Sequence, residues 1–151
     1  VARLKDYGFS FDLQLFPGQM KDGATLVGEN PEIEFILTHT GMLLDLSPDE
    51  TELWEAGLRH LAPFRNLTSK LSGLGTFIHR NSPELIAHVV DRGIAVFGSD
   101  RLMFGSNFPI EKLWTTHADL IGAHRAAVAK HGAEAEADIF WNTAARVYRP
   151  V

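Results

Sequence analysis

The chain has 151 residues, of which 45% are apolar and 22% charged, with a net charge of −5 and no cysteine. This is enough for one domain with a packed core, and it excludes disulfides and thiolate metal ligands. Scattered lysines and arginines form no basic stripe, the apolar runs are too short to span a bilayer, and Val1-Ala2-Arg3 opens no signal core, so the expectation is a cytoplasmic protein without nucleic-acid or membrane partners.

Four strand-like segments alternate with helical ones. The first strand is expected over Phe9 to Leu15, where Phe9, Phe11, Leu13 and Leu15 recur at period two and Asp12 and Gln14 share the opposite face. Met20 to Asn30 is a weak helix, diluted by Gly23 and Gly28. The apolar run from Ile33 to Thr38 is the second strand and ends at His39. Pro48-Asp49-Glu50 opens a helix whose Leu53, Trp54, Leu58 and Leu61 follow helical spacing. Asn66 to Leu71 is the third strand. Ser82-Pro83-Glu84 is an N-cap with proline in the first turn, leading into Leu85, Ile86, Val89 and Val90. The fourth strand is Leu102 to Gly105. Two helices follow, Thr116 to Lys130 and Ala133 to Val147, separated by the His131-Gly132 stop.

This alternation implies parallel strands joined by helical crossovers, in one structural unit over residues 1–151. No glycine-rich phosphate loop follows any strand, and no serine-hydrolase elbow, His-x-His or His-Glu-x-x-His is present. A complete (β/α)8 barrel takes about 250 residues, so four units are either an open four-stranded α/β layer or half of such a barrel.

In such a fold the carboxyl ends of the strands carry the chemistry. His39 ends an apolar strand there. It could ligate a metal or act as base or electrophile; the plain alternative is a histidine bonded to a nearby loop. Asn107 follows the fourth strand. Its carboxamide can orient a water, bind a carbonyl or weakly ligate a metal, but it cannot take a proton at neutral pH; otherwise it is a loop asparagine serving local backbone groups. Glu111, four residues on, is either the missing base or a solvated loop charge. Asp12, Gln14, Lys70 and Ser72 are candidate substrate contacts, Lys70 as an anion holder or a barrel ion-pair partner. His60, His79, His88, His117, His124 and His131 are read as solvated.

The stretch Phe104-Gly105-Ser106-Asn107-Phe108-Pro109 resembles the Phe-Gly-Ser-Asp-Trp-Pro signature of the amidohydrolase-2 family, with Asn107 where the signature has aspartate. Phe9 to Gln14, Leu37 to Met42, Asn66 to Leu74 and Asn142 to Tyr148 also resemble segments of that family's C-terminal half, in order. The resemblance implies an α/β fold that is the second half of a (β/α)8 TIM barrel, as a fragment of the full enzyme. It implies a hydrolase that attacks the carbonyl of a lactone, cyclic ester or amide. A decarboxylase on the same scaffold and a non-catalytic assembly module, self-associating through open sheet edges, are the alternatives. By the same resemblance His39 binds metal or polarises the carbonyl, with Zn or Mn as the divalent metal of the full-length enzyme. Asn107 occupies the position of the family's water-activating aspartate, and the family's His-x-His has no counterpart in this chain; in the mechanism expected here Asn107 and Glu111 would position water, with Glu111 rather than Asn107 as base.

Overall fold

The computed structural model describes residues 1–149. Strand β1 (Phe11–Leu13) is followed by α1 (Met20–Gly28), β2 (Phe35–Leu37) by α2 (Pro48–Leu61), and β3 (Leu67–Leu71) by the short α3 (Gly75–Ile78) and α4 (Pro83–Phe97). Strand β4 (Leu102–Phe104) leads into α5 (His117–Ala129), α6 (Ala133–Ala137) and α7 (Thr143–Tyr148). The strands form one parallel sheet in chain order, with Phe11, Phe35 and Leu67 in register, then Leu13, Leu37, Ser69 and Leu102. Parallel neighbours need a crossover of a dozen residues or more, which the helices supply.

Helices α2, α4 and α5 begin where side-chain oxygens can serve their free amides. The Glu50 amide donates to Ser47 Oγ (3.3 Å), that of Leu85 to Ser82 Oγ (3.2 Å) and that of Asp119 to Thr116 Oγ1 (3.1 Å). Proline occupies the first turn of α2 and α4, where its missing N–H costs nothing.

One face of the sheet carries Leu13, Phe35, Leu37, Leu67, Leu71 and Leu102 into a single core with Met20, Val27, Trp54, Leu58, Leu61, Leu85, Ile86, Val89 and Val90 of the helices. Each large side chain buried there contributes about 1.5–3 kcal/mol. The other face carries Asp12, Ile36, Thr68, Lys70 and Met103, and α7 lies beside it. Arg101, only 6% exposed, ties the amino end of β4 to two helix ends: its guanidinium donates to the carbonyls of Phe97 (2.9 Å), Ala62 (3.0 Å) and Phe64 (3.0 Å). Burial lowers its pKa, yet it stays cationic beside three carbonyl dipoles.

Several sequence expectations need correction. The first two strands are shorter at both ends, while β3 starts one residue later and β4 ends one residue earlier than expected; Phe9 is exposed and stacks on Tyr7 outside β1. Leu53 is exposed although it fits the helical spacing, because the buried stripe of α2 is narrower and centred on Trp54, Leu58 and Leu61. The expected last helix is α6 and α7 joined by a π-helical turn at Asp138–Asn142. His124 is fully buried rather than solvated: its Nδ1 bonds the Leu120 carbonyl (2.9 Å) and its ring meets the edge of Phe104. His88 is half-buried against Trp54.

Candidate functional site

At the carboxyl end of the second sheet face, a cavity of about 470 Å3 gathers residues from all four strand ends and α7. Asp12 comes from β1, Thr38 and His39 from the end of β2, Lys70 and Ser72 from β3, Gly105 and Asn107 from beyond β4, and Ala144 and Tyr148 from α7. Five of the expected residues, Asp12, His39, Lys70, Ser72 and Asn107, therefore share one space. Gln14 lies past the end of β1, exposed, and does not line the cavity. Glu111 does not line it either and is 1% exposed, so it is not a solvated rim charge.

The His39 backbone is unusual. Residues His39 (φ 55°), Thr40 (49°), Gly41 (78°) and Met42 (49°) are all left-handed, a conformation that costs an L side chain about 1–2 kcal/mol per residue. Tertiary bonds hold the turn in place. Trp54 Nε1 donates to the Thr40 carbonyl (2.7 Å), and Thr40 Oγ1 donates to the Lys70 carbonyl (2.9 Å). His39 Nδ1 and Ser72 Oγ share a hydrogen bond of 2.9 Å, which orients the ring in the cavity. Gly73 makes the approach possible, since a Cβ there would lie 2.3 Å from His39 Nδ1. Burial lowers the His39 pKa, outweighing the raising effects of the Ser72 bond and the Glu111 charge, so the imidazole is neutral at neutral pH.

Lys70 Nζ reaches both carboxylate oxygens of Asp12 (3.0 and 3.1 Å) and sits 5.4 Å from the centre of the Tyr148 ring. Burial presses the ammonium toward its neutral form. The bonds to Tyr148 and Asp12 and the Asp12 charge outweigh that, and the Lys70 pKa lies above the ordinary lysine value. Lysine and aspartate thus nearly cancel in charge, leaving a polar patch under an aromatic face. Tyr148 was legible only as part of the terminal Asn142–Tyr148 match, because nothing local in the sequence brings α7 to the strand ends.

Asn107 is also left-handed (φ 52°), which asparagine tolerates better than most residues. Its Nδ2 donates to Glu111 Oε1 at 3.2 Å. Behind it, Thr76 Oγ1 (3.4 Å) and Asn81 Nδ2 also donate to the Glu111 carboxylate. Thr76 and Asn81 carried no signal in the sequence, since they become partners only through the packing of α3 and its flanking loop.

A divalent ion would find one imidazole in this cavity. Among the described residues no three His, Cys, Asp or Glu side chains are placed to hold a metal. Asp12 is engaged by Lys70, and Glu111 is closed off behind Asn107. The donor set of this chain does not by itself fit a metal, and His39 is the one cavity residue through which it could contribute a strong ligand. No helix among the described residues is long and apolar enough to cross a membrane.

Fold and cavity together define an α/β protein of the parallel-barrel class, with a cavity at the strand carboxyl ends. The amidohydrolase family model (Amidohydro_2) matches residues 1–149, and the chain belongs to that family. It is 36% identical over 142 residues to the uncharacterized protein y4mH of Sinorhizobium fredii, covering 94% of this chain and 48% of that protein. It is 29% identical over 159 residues to the L-fucono-1,5-lactonase of Burkholderia multivorans, covering 98% and 54%. A crystal structure of an amidohydrolase from Burkholderia multivorans with bound zinc superposes with a TM-score of 0.91 at 25% identity, covering 99% of this chain and 56% of that one. The chain spans about half the length of the curated relatives it matches. Its four β/α units are half of a (β/α)8 barrel.

Proposed function

We propose that this chain provides half of the active site of a hydrolase that attacks the carbonyl of a lactone, cyclic ester or amide. The observation that carries the reading is the convergence of a neutral His39, Asn107 and the Lys70–Asp12 pair in one strand-end cavity. His39, steadied by Ser72, is the residue that polarises the carbonyl or takes a proton at its free ring nitrogen. Asn107 orients the attacking water. Lys70 and Asp12 bind the remainder of the substrate, and Tyr148 covers it.

Among such substrates the cavity favours a hydroxyl-rich lactone over a multiply charged acid. A lysine already neutralised by aspartate offers little net attraction to a dianion. It does offer donors and acceptors to hydroxyls, and the Tyr148 ring offers a face for the C–H side of a sugar ring. The name of the fuconolactonase relative agrees with this choice. A metal in the intact enzyme would require further ligands besides His39.

The test is hydrolysis of a panel of aldonolactones by the whole polypeptide, with His39→Ala as the variant. Turnover should fall by about 100-fold or more with the far-UV dichroism unchanged. An alanine variant as active as the parent overturns the assignment. Release of carbon dioxide from an aromatic acid without lactone hydrolysis points instead to a decarboxylase.

A further inference from the structure

Glu111 is the only buried carboxylate among the described residues, and the expected role of base does not suit its position. A base must reach the proton it abstracts. Oε1 of Glu111 accepts from Thr76 Oγ1 and Asn107 Nδ2, Oε2 accepts from Asn81 Nδ2, and the residue does not line the cavity. The space around it is equally closed. A Cβ at Gly75 would lie 2.9 Å from Glu111 Oε2 and 2.9 Å from Trp114 Cδ1.

We propose that Glu111 is a positioning residue that locks the Asn107 carboxamide with its oxygen toward the cavity, so that this strand end presents a fixed, uncharged hydrogen-bond acceptor. An amide carries its oxygen and its NH2 on opposite branches. With Nδ2 held by Glu111, Oδ1 points the other way. Turning the amide over would set Oδ1 against a carboxylate oxygen, two acceptors face to face. The backbone closes the same loop, because the Glu111 amide donates to the Asn107 carbonyl (3.2 Å). The locked Oδ1 accepts from a water or a substrate hydroxyl and fixes its direction without taking its proton.

The kinetic part of this proposal rests on the hydrolase reading; the spectroscopic part stands without it. Asn81 Oδ1 is buried and has no partner. Glu111→Gln therefore leaves an oxygen for Asn107, while its new NH2 can be received by Asn81 after that amide turns over. Glu111→Ala removes the acceptor. In the whole polypeptide labelled with 15N-asparagine, the Asn107 side-chain NH2 should be a distinct, slowly exchanging pair in the parent and in Glu111→Gln. In Glu111→Ala it should collapse to the position of a solvated amide.

In the lactone assay Glu111→Gln should keep kcat within about 3-fold of the parent with the same pH profile, whereas Glu111→Ala should lose about 100-fold, mainly in kcat. Loss of turnover in Glu111→Gln with the amide pair unchanged makes Glu111 the base and overturns the proposal. So does an unchanged amide pair in Glu111→Ala. Should the alanine variant not fold, the glutamine variant decides alone. If no lactone is hydrolysed by the parent, the functional reading falls, and the amide spectra still judge the lock.

Discussion

Replacing Asn107 with the aspartate of the family signature should destabilise this protein at neutral pH. The new carboxylate would stand where Nδ2 now lies 3.2 Å from Glu111 Oε1, and a donor–acceptor contact would become a contact between two anions. At an effective dielectric of about 20, two unit charges at that separation repel by about 5 kcal/mol. Uptake of a proton sets a ceiling, since holding an aspartic acid protonated at pH 7 against an ordinary pKa near 3.9 costs about 4 kcal/mol. Once protonated, the new carboxyl donates to Glu111 as the amide did. We therefore expect Asn107→Asp to lose about 2–4 kcal/mol at pH 7 and to approach the parent near pH 4. The sign follows from linkage: the folded variant holds a proton that its unfolded chain releases above about pH 4, so stability falls as pH rises and levels off above the raised folded-state pKa. Urea unfolding of parent and variant between pH 4.5 and 8 measures this directly. A deficit at pH 7 below about 0.5 kcal/mol, or one independent of pH, would refute the reasoning. Adding Glu111→Gln should recover most of the loss. The same geometry supplies a physical reason for the departure from the signature, because a buried glutamate at 111 favours a donor at 107.

Three further outcomes are expected. Gly73→Ala would push a Cβ against His39 Nδ1 at a left-handed φ of 62°; it should cost about 2 kcal/mol or more, and the His39 pKa should rise toward the ordinary histidine value as the ring moves into solvent, read by NMR titration. An unchanged titration would contradict the packing described for His39. Burial also lowers the pKa of His124, so the folded state resists protonation there. Stability should be full above about pH 6.5 and decline as pH falls below it, and His124→Leu should flatten that decline in urea titrations. Arg101→Leu strands the carbonyls of Ala62, Phe64 and Phe97 and should cost about 3–5 kcal/mol in urea; a loss under about 1 kcal/mol would show that the tie carries little.

Much of the architecture was legible because it rests on local chemistry. Pro48-Asp49-Glu50 and the Ser82-Pro83-Glu84 cap announce helix starts, and the apolar pulses before His39 and Gly105 announce buried parallel strands. The strand-end rule then drew Asp12, His39, Lys70, Ser72 and Asn107 to one rim, although whether they meet depends on register, which the alternation of elements does not specify. His124 misled because its own polarity argues for solvent, although it lies on the apolar stripe of α5 with Leu120, Ala127 and Val128; the packing of α5 on α4 and the contact with Phe104 enclose it.

What the sequence by itself determined is the kind of elements, their order and the fold class, since capping, periodicity and crossover length act over a few to a few dozen residues. The tertiary structure alone decided that α7 brings Tyr148 over Lys70, that Gly73 admits the His39 ring, and that Glu111 is enclosed by Thr76, Asn81 and Asn107. Those contacts join residues from separate elements, as far apart as Lys70 and Tyr148. They exist because the sheet and its helices bring distant segments to within hydrogen-bond range, a distance that no local pattern encodes.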